Sequence, residues 1–315
     1  MKKIKIGQSD LQVGRLNLGG NVFGWTLNEK ESFEILDAFV EGGYEFIDTA
    51  DMYSYWVDGK GGGQSETIIG KWMKDRANRS EIVLATKGGG PTGLHEINTT
   101  KAHLIQSVEE SLKRLKTDYI DLYYTHYDDE NTPVEEALEA YDELIKAGKV
   151  RHVAVSNMSP DRILESFAAA EKHGLPRFEA LQPLYNLVSR EGYEKDYAPI
   201  AEKFGLTVFP YAALAQGFLT GKYLKKEDLH KSARGAGAVK YLEGNGLQVL
   251  TAMSKVAEKH ESTHTTVALA WLLAQPHIGA PVVSATSKKQ LNDILAAPKL
   301  VLDQEDLSIL DEAST

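Results

Sequence analysis

Short apolar runs alternate with longer stretches whose apolar residues recur three or four apart, from near the first residue to near the last. A period of two belongs to strands and a period near 3.6 to amphipathic helices. The runs at 15–18, 45–47, 82–86, 120–125, 150–155, 179–182, 206–211 and 281–284 read as eight strands. Between them, 32–40, 101–115, 134–146 and 162–172 carry helical stripes. Their ends are marked as well. Pro133 suits a first helical turn, Gly148 and Gly174 suit the residue after a helix, and Ser159-Pro160-Asp161 reads as an N-terminal cap. Eight such units predict a closed (β/α)8 TIM barrel in the α/β class, spanning 1–315 as a single domain.

Three further segments fit this plan. Residues 3–6 and 11–13 flank Gly7-Gln8-Ser9-Asp10 and read as an N-terminal β-hairpin that caps the barrel floor. The stretch 214–246 is long, glycine-rich and placed after the seventh strand, and 302–313 reads as an extra C-terminal helix. The rival architecture is an open doubly wound sheet, whose phosphate fingerprint should come early. The only G-x-G-x-x-G match, Gly88, Gly90 and Gly93, follows the third strand, holds Pro91 and precedes its helix by several residues, so it reads as a loop.

Composition narrows the function. With 42% hydrophobic and 25% charged residues, the 315-residue chain has the balance of a soluble globular protein. The opening MKKIKIG has no apolar run behind its lysines, which predicts neither a secretory signal nor a membrane span and hence a cytoplasmic protein. A net charge of −10 argues against nucleic acid as partner. With no cysteine, disulfides, thiolate metal sites and a cysteine nucleophile are excluded.

In a (β/α)8 barrel the site forms where strands end. Asp48 follows the second strand, Tyr53 lies in the same loop, Lys87 ends the third strand and His126 ends the fourth. Hydride transfer to a carbonyl leaves a basic alkoxide that needs a proton, which a phenol can supply. A tyrosine titrates near ~10, and a neighbouring cation such as Lys87 should make it a stronger acid. Asp48 would hold that lysine charged, and His126 would hydrogen-bond the carbonyl oxygen. Each alone has a plain structural explanation, since polar loop residues are common and the chain has 14 tyrosines. Together they form a working set.

At this point the chain resembles the aldo-keto reductase family. The resemblance rests on Phe46-Ile47-Asp48-Thr49-Ala50-Asp51-Met52-Tyr53, Ala85-Thr86-Lys87 and Asp121-Leu122-Tyr123-Tyr124-Thr125-His126. It extends through Gly148 to Arg151, Val155-Ser156-Asn157 and Gln182-Pro183-Leu184-Tyr185-Asn186. It implies a catalytic tetrad of Asp48, Tyr53, Lys87 and His126, with Tyr53 the proton donor. It also implies an NADP cofactor, with NAD the alternative. Ser156, Asn157 and Gln182 would hold the nicotinamide carboxamide, and Tyr211 would stack on the ring. Gly20, Asn21, Ala212, Leu214, Gln216 and Gly217 would line the cofactor, with Lys222 and Arg234 over the pyrophosphate. Ala285, Thr286, Lys288, Gln290 and Asp293 would surround the adenosine 2′-phosphate, at what reads as a helix start following Thr286-Ser287. Two positions depart from the family pattern: Ser284 stands where glycine is common, and Ile294 where asparagine often contacts adenine.

For the small-molecule carbonyl substrate, Trp25, Tyr55 and Trp56 could form an aromatic wall, and the glycines at 59 and 61–63 suggest a lid. No metal is required. Two other functions share these features. One is a cofactor-binding regulatory subunit with little turnover, as some relatives of the family are channel-associated. The other is an isomerase or lyase on phosphorylated sugars using Lys87 as a Schiff base, which leaves Asp48, Tyr53 and Ser156-Asn157 without work.

Overall fold

The computed structural model describes residues 2–57, 61–92 and 96–315. Gly59 of the suggested lid and Gly93 of the glycine motif lie outside them. The hairpin is formed by β1 (Ile4–Lys5) and β2 (Gln12–Val13), with Ile4 opposite Val13. Eight parallel strands follow: β3 (Asn17–Gly19), β4 (Phe46–Asp48), β5 (Val83–Gly88), β6 (Ile120–Thr125), β7 (Val150–Ser156), β8 (Phe178–Gln182), β9 (Thr207–Val208) and β10 (Val282–Val283). Their order is β10-β3-β4-β5-β6-β7-β8-β9. The ring is closed between its last two strands, where the N–H groups of Gly279 and Val282 donate to the carbonyls of Val208 and Pro210, each at 2.8 Å. The fold is a (β/α)8 barrel.

Helices α1 (Glu29–Glu41), α2 (Gln64–Arg76), α3 (Lys101–Leu115), α4 (Val134–Lys146), α5 (Pro160–His173) and α6 (Ala198–Phe204) connect consecutive strands. After β9 come α7 (Val239–Leu242), α8 (Gly246–Lys259) and α9 (His264–Ala274); α10 (Lys288–Ala296) and α11 (Gln304–Ser314) follow β10. The boundaries follow local chemistry. An Asn28–Glu31 capping box opens α1, and Ser159 caps α5 by accepting from the Arg162 N–H. At the C-terminus of α5, Gly174 adopts φ +66, which a side chain would resist. Among the described residues no helix is long and apolar enough to cross a membrane.

Alternation along the strands sorts two cores. Ile47, Leu84, Tyr123, Val153 and Leu181 pack outward against the helices. Phe46, Ala85, Leu122, Ala154, Ala180, Phe209 and Ala280 fill the barrel interior, and Ile6, Leu11 and Val13 of the hairpin seal it from below. Small alanines opposite Phe46 and Phe209, which meet edge to face at 5.0 Å, keep the lumen filled.

Candidate active site

Side chains repeat every second residue along a strand, so the positions two beyond Phe46 and Ala85 also point into the lumen, one layer higher. These are Asp48 and Lys87, both fully buried. Lys87 Nζ hydrogen-bonds Asp48 Oδ2 and donates to the Thr49 carbonyl at 2.8 Å and to Tyr53 OH at 3.1 Å. All three ammonium hydrogens are thereby used. The other oxygen of Asp48 accepts from Gln182 Nε2 at 2.9 Å.

Tyr53 comes from the loop that leaves β4. That loop stays pinned to β5, where the Thr49 and Asp51 N–H groups donate to the carbonyls of Ala85 and Lys87. After Tyr53 the chain turns through Ser54, whose φ of +76 is strained for a residue with a side chain and whose hydroxyl donates to the Phe23 carbonyl. His126 is the first residue beyond β6, held by its N–H on the Gly88 carbonyl at 2.9 Å. Its ring meets that of Tyr53 edge on, with centroids 6.0 Å apart.

Burial works to lower the Lys87 pKa, yet the charge of Asp48 and then Tyr53 outweigh it and the ammonium is raised above its ordinary value. Lys87 acts on Tyr53 in the expected direction, favouring the phenolate by its charge and its hydrogen bond, but other effects outweigh it. Burial raises the phenol above its usual value, Lys87 only offsets part of that, and Asp48 adds to the rise. His126 is pushed well below its ordinary value by burial and then by Lys87, so its imidazole is neutral. Asp51, behind the tetrad, is pushed up to about 8 by burial and by Glu66.

Above the tetrad lies a cavity of about 850 Å³. Tyr53, His126, Ser156, Asn157, Gln182 and Tyr211 are among the residues that line it. Asn21, Ala212, Leu214, Gln216, Gly217, Lys222, Arg234, Thr286, Gln290 and Asp293 also line it. Three of the cofactor candidates do not line it. Gly20 lies under the wall, where its N–H donates to the Asp48 carbonyl and Ser65 Oγ to its own carbonyl, and Ala285 is fully buried. Lys288 lies on the side of Asp37 on α1, whereas Lys289 lines the cavity. Ser287 caps α10 as the sequence suggested, accepting from the Gln290 N–H. Ser284 fastens the first and last barrel strands together through Asn21 Oδ1 at 2.6 Å.

The turn at 212–217 holds three residues other than glycine at positive φ, Ala212, Ala215 and Gln216, so backbone strain concentrates at this wall. Trp25, Tyr55 and Trp56 stand outside the cavity lining as an aromatic cluster. Trp56 touches all three other rings, at 5.6 Å to Trp25, 5.4 Å to Tyr55 and 6.2 Å to Tyr53. Gly88 and Gly90 have steric reasons for lacking a side chain. A Cβ on Gly88 would meet Tyr123 OH at 2.0 Å, and one on Gly90 would press on Tyr127, His126 and Met52. Residues missed by sequence reasoning include Tyr127, Thr26 and Glu31, which line the cavity from loops and a helix start where no local pattern marks them. Tyr127, next to His126, was reachable by following the strand one residue further.

A barrel whose mouth holds a buried Asp–Lys pair bonded to a tyrosine that lines a large cavity is the form of a barrel oxidoreductase. The family model described as "Aldo/keto reductase family" matches residues 11–315, and the chain belongs to that family of oxidoreductases. It is 35% identical to "Uncharacterized oxidoreductase YrpG" of Bacillus subtilis (strain 168), over 99% of this chain and 95% of that protein. It is 32% identical to "Aldo-keto reductase YhdN" of the same organism, over 96% and 88%. A "Probable voltage-gated potassium channel subunit beta" of Oryza sativa subsp. japonica is 30% identical, over 94% and 91%.

Proposed function

We propose that the protein reduces aldehydes, ketones or sugar carbonyls to alcohols with NADPH, Tyr53 donating the proton. The observation that carries this reading is the Lys87 ammonium shared between Asp48 and Tyr53 at the floor of the cavity. The cavity suits the cofactor. It is about 850 Å³, in the range of small-molecule sites, and is lined in part by Thr286, Lys289 and Gln290 at a helix N-terminus. Hydroxyls, an ammonium and free backbone N–H groups there favour a 2′-phosphate and hence NADP.

Bound cofactor would supply a hydride to the carbonyl carbon. The residues of the chain manage the oxygen. Tyr53 is protonated at neutral pH, the more so because burial raises its pKa, and releases the proton to the oxygen as negative charge grows there. Lys87 stays cationic beside the phenol and steadies the phenolate left behind. Neutral His126 carries one ring hydrogen, and with that hydrogen on Nε2 it would donate to the carbonyl oxygen.

Tyr53→Phe should preserve NADPH binding, read by cofactor fluorescence, and lower carbonyl reduction by roughly 10²–10⁴-fold. Full turnover in that variant would end the mechanism. Since the acid must be protonated, reduction should hold through neutral pH and decline only as pH rises through the raised Tyr53 pKa. The likeness to a channel β subunit favours a second reading, a cofactor-binding regulatory subunit. Tight NADPH binding with no turnover across an aldehyde panel would select it.

A further inference from the structure

A continuous run of hydrogen bonds joins the cofactor wall to the tetrad. Tyr211 OH donates to Asn157 Oδ1 at 3.1 Å. Asn157 Nδ2 donates to the His126 carbonyl at 2.9 Å and to Ser156 Oγ at 3.1 Å. Ser156 Oγ donates to the Gln182 carbonyl at 2.9 Å, and Gln182 Nε2 donates to Asp48 Oδ1 at 2.9 Å. The orientation of the Gln182 amide is fixed by chemistry, because its oxygen facing the Asp48 carboxylate would set two acceptors against each other. Its Oε1 is therefore the end available to a ligand in the cavity that Gln182 lines.

We propose that Gln182 is a positioning residue that couples cofactor binding to the tetrad: its oxygen takes the nicotinamide carboxamide while its nitrogen holds Asp48. The oxygen side rests on the function proposed above. The nitrogen side rests on the contact itself, between two side chains that are 2% and 0% exposed and 134 residues apart. An amide whose oxygen accepts a hydrogen bond donates more strongly from its nitrogen. Occupancy of the cofactor site thus tightens the hold on Asp48. Asp48 in turn holds Lys87, whose third hydrogen points at Tyr53 OH. The donor from Gln182 also disperses the negative charge of Asp48, which otherwise opposes ionisation of Tyr53.

Gln182→Met keeps the length and apolar bulk of the side chain and removes both polar ends. Three measurements separate the roles. Tyrosine ¹³Cζ NMR of the cofactor-free protein, with the Tyr53 signal assigned by Tyr53→Phe, reads the Tyr53 titration without turnover. NADPH fluorescence gives Kd, and kcat at saturating NADPH is followed against pH. The expected result is a Tyr53 midpoint moved to higher pH by about half a unit or more, with kcat lowered roughly 10-fold at saturation. Gln182→Glu, of nearly the same size, should recover the wild-type rate as pH falls and its carboxyl gains a proton to donate to Asp48.

A Gln182→Met protein with weaker NADPH binding but an unmoved Tyr53 midpoint and wild-type kcat at saturation would overturn the proposal, leaving Gln182 a cofactor ligand alone. Absence of acid recovery in folded Gln182→Glu would also overturn it. A moved midpoint with unchanged Kd would retain the hold on Asp48 and overturn the carboxamide contact, separating this proposal from the function on which its other half rests.

Discussion

At the barrel floor, Asp10 of the hairpin turn pairs with Arg151 and His152, and Asp121 takes both Arg151 and Arg79. Both acids have opposite-charge partners, and Asp10 is 70% exposed. At the mouth, Lys87 and Asp48 are sealed from water, Asp51 has an oxygen with no partner among the described residues, and His126 has an unpartnered nitrogen. The floor is packed apolar, with Asp10 exposed and the buried Asp121 held between two arginines. The mouth buries its charges and tolerates strained backbone at Ser54 and along 212–217. The floor pairs each of these acids with cations, whereas the mouth keeps buried polar atoms without partners among the described residues. Burying a charge costs free energy unless partners offset it, so such groups persist where chemistry uses them.

The largest test of this contrast is Phe209→Ala. Phe209 is fully buried in the floor layer, and the change should cost about 3–5 kcal/mol in urea unfolding by leaving a cavity. A loss under about 1 kcal/mol would mean that the floor does not carry the packing assigned to it.

A middle-sized effect is expected from Asp51→Asn. Asp51 titrates near 8 in the folded protein against an ordinary 3.8, so the native state keeps a proton that the unfolded chain has released. Its contribution is therefore complete below pH ~4 and is lost as pH rises toward about 8. Glu66 raises it further, while Arg114 and Lys87 oppose. Between pH 5 and 8 the variant should gain on the wild type by on the order of 1 kcal/mol or more. Parallel stability curves would remove Asp51 from the strained set.

Asp10→Ala should have the smallest effect, less than about 1 kcal/mol and shrinking with salt, since the pair it breaks is largely exposed. A salt-insensitive loss of several kcal/mol would erase the distinction drawn between the two ends.

Much of this was readable before folding was considered. The helices at 101–115 and 134–146 and the strand at 120–125 have the ends their periodicity predicts, because apolar spacing and caps act within a few residues. The strand expected at 206–211 forms a ladder only at Thr207–Val208, although Phe209 and Tyr211 continue to donate to Leu181 and Pro183 beyond it. Asp48, Tyr53, Lys87 and His126 could be proposed together because each sits at or just past a strand end. Other features could not be read this way. Which of Lys288 and Lys289 meets the cavity depends on how α10 is rotated, and the direction of the Tyr53 shift depends on how completely its surroundings exclude water.

The sequence by itself determined the succession of strands and helices, the caps and the identity of the polar residues at the strand ends, since these follow from short-range pattern. The tertiary structure alone decided that Gln182 would grip Asp48 across 134 residues, that Asp51 would lie buried beside Glu66 and that burial would outweigh Lys87 at Tyr53. Hydrogen bonding and desolvation depend on which atoms finally lie within about 3 Å and on where water is excluded, and closing the barrel sets both at once.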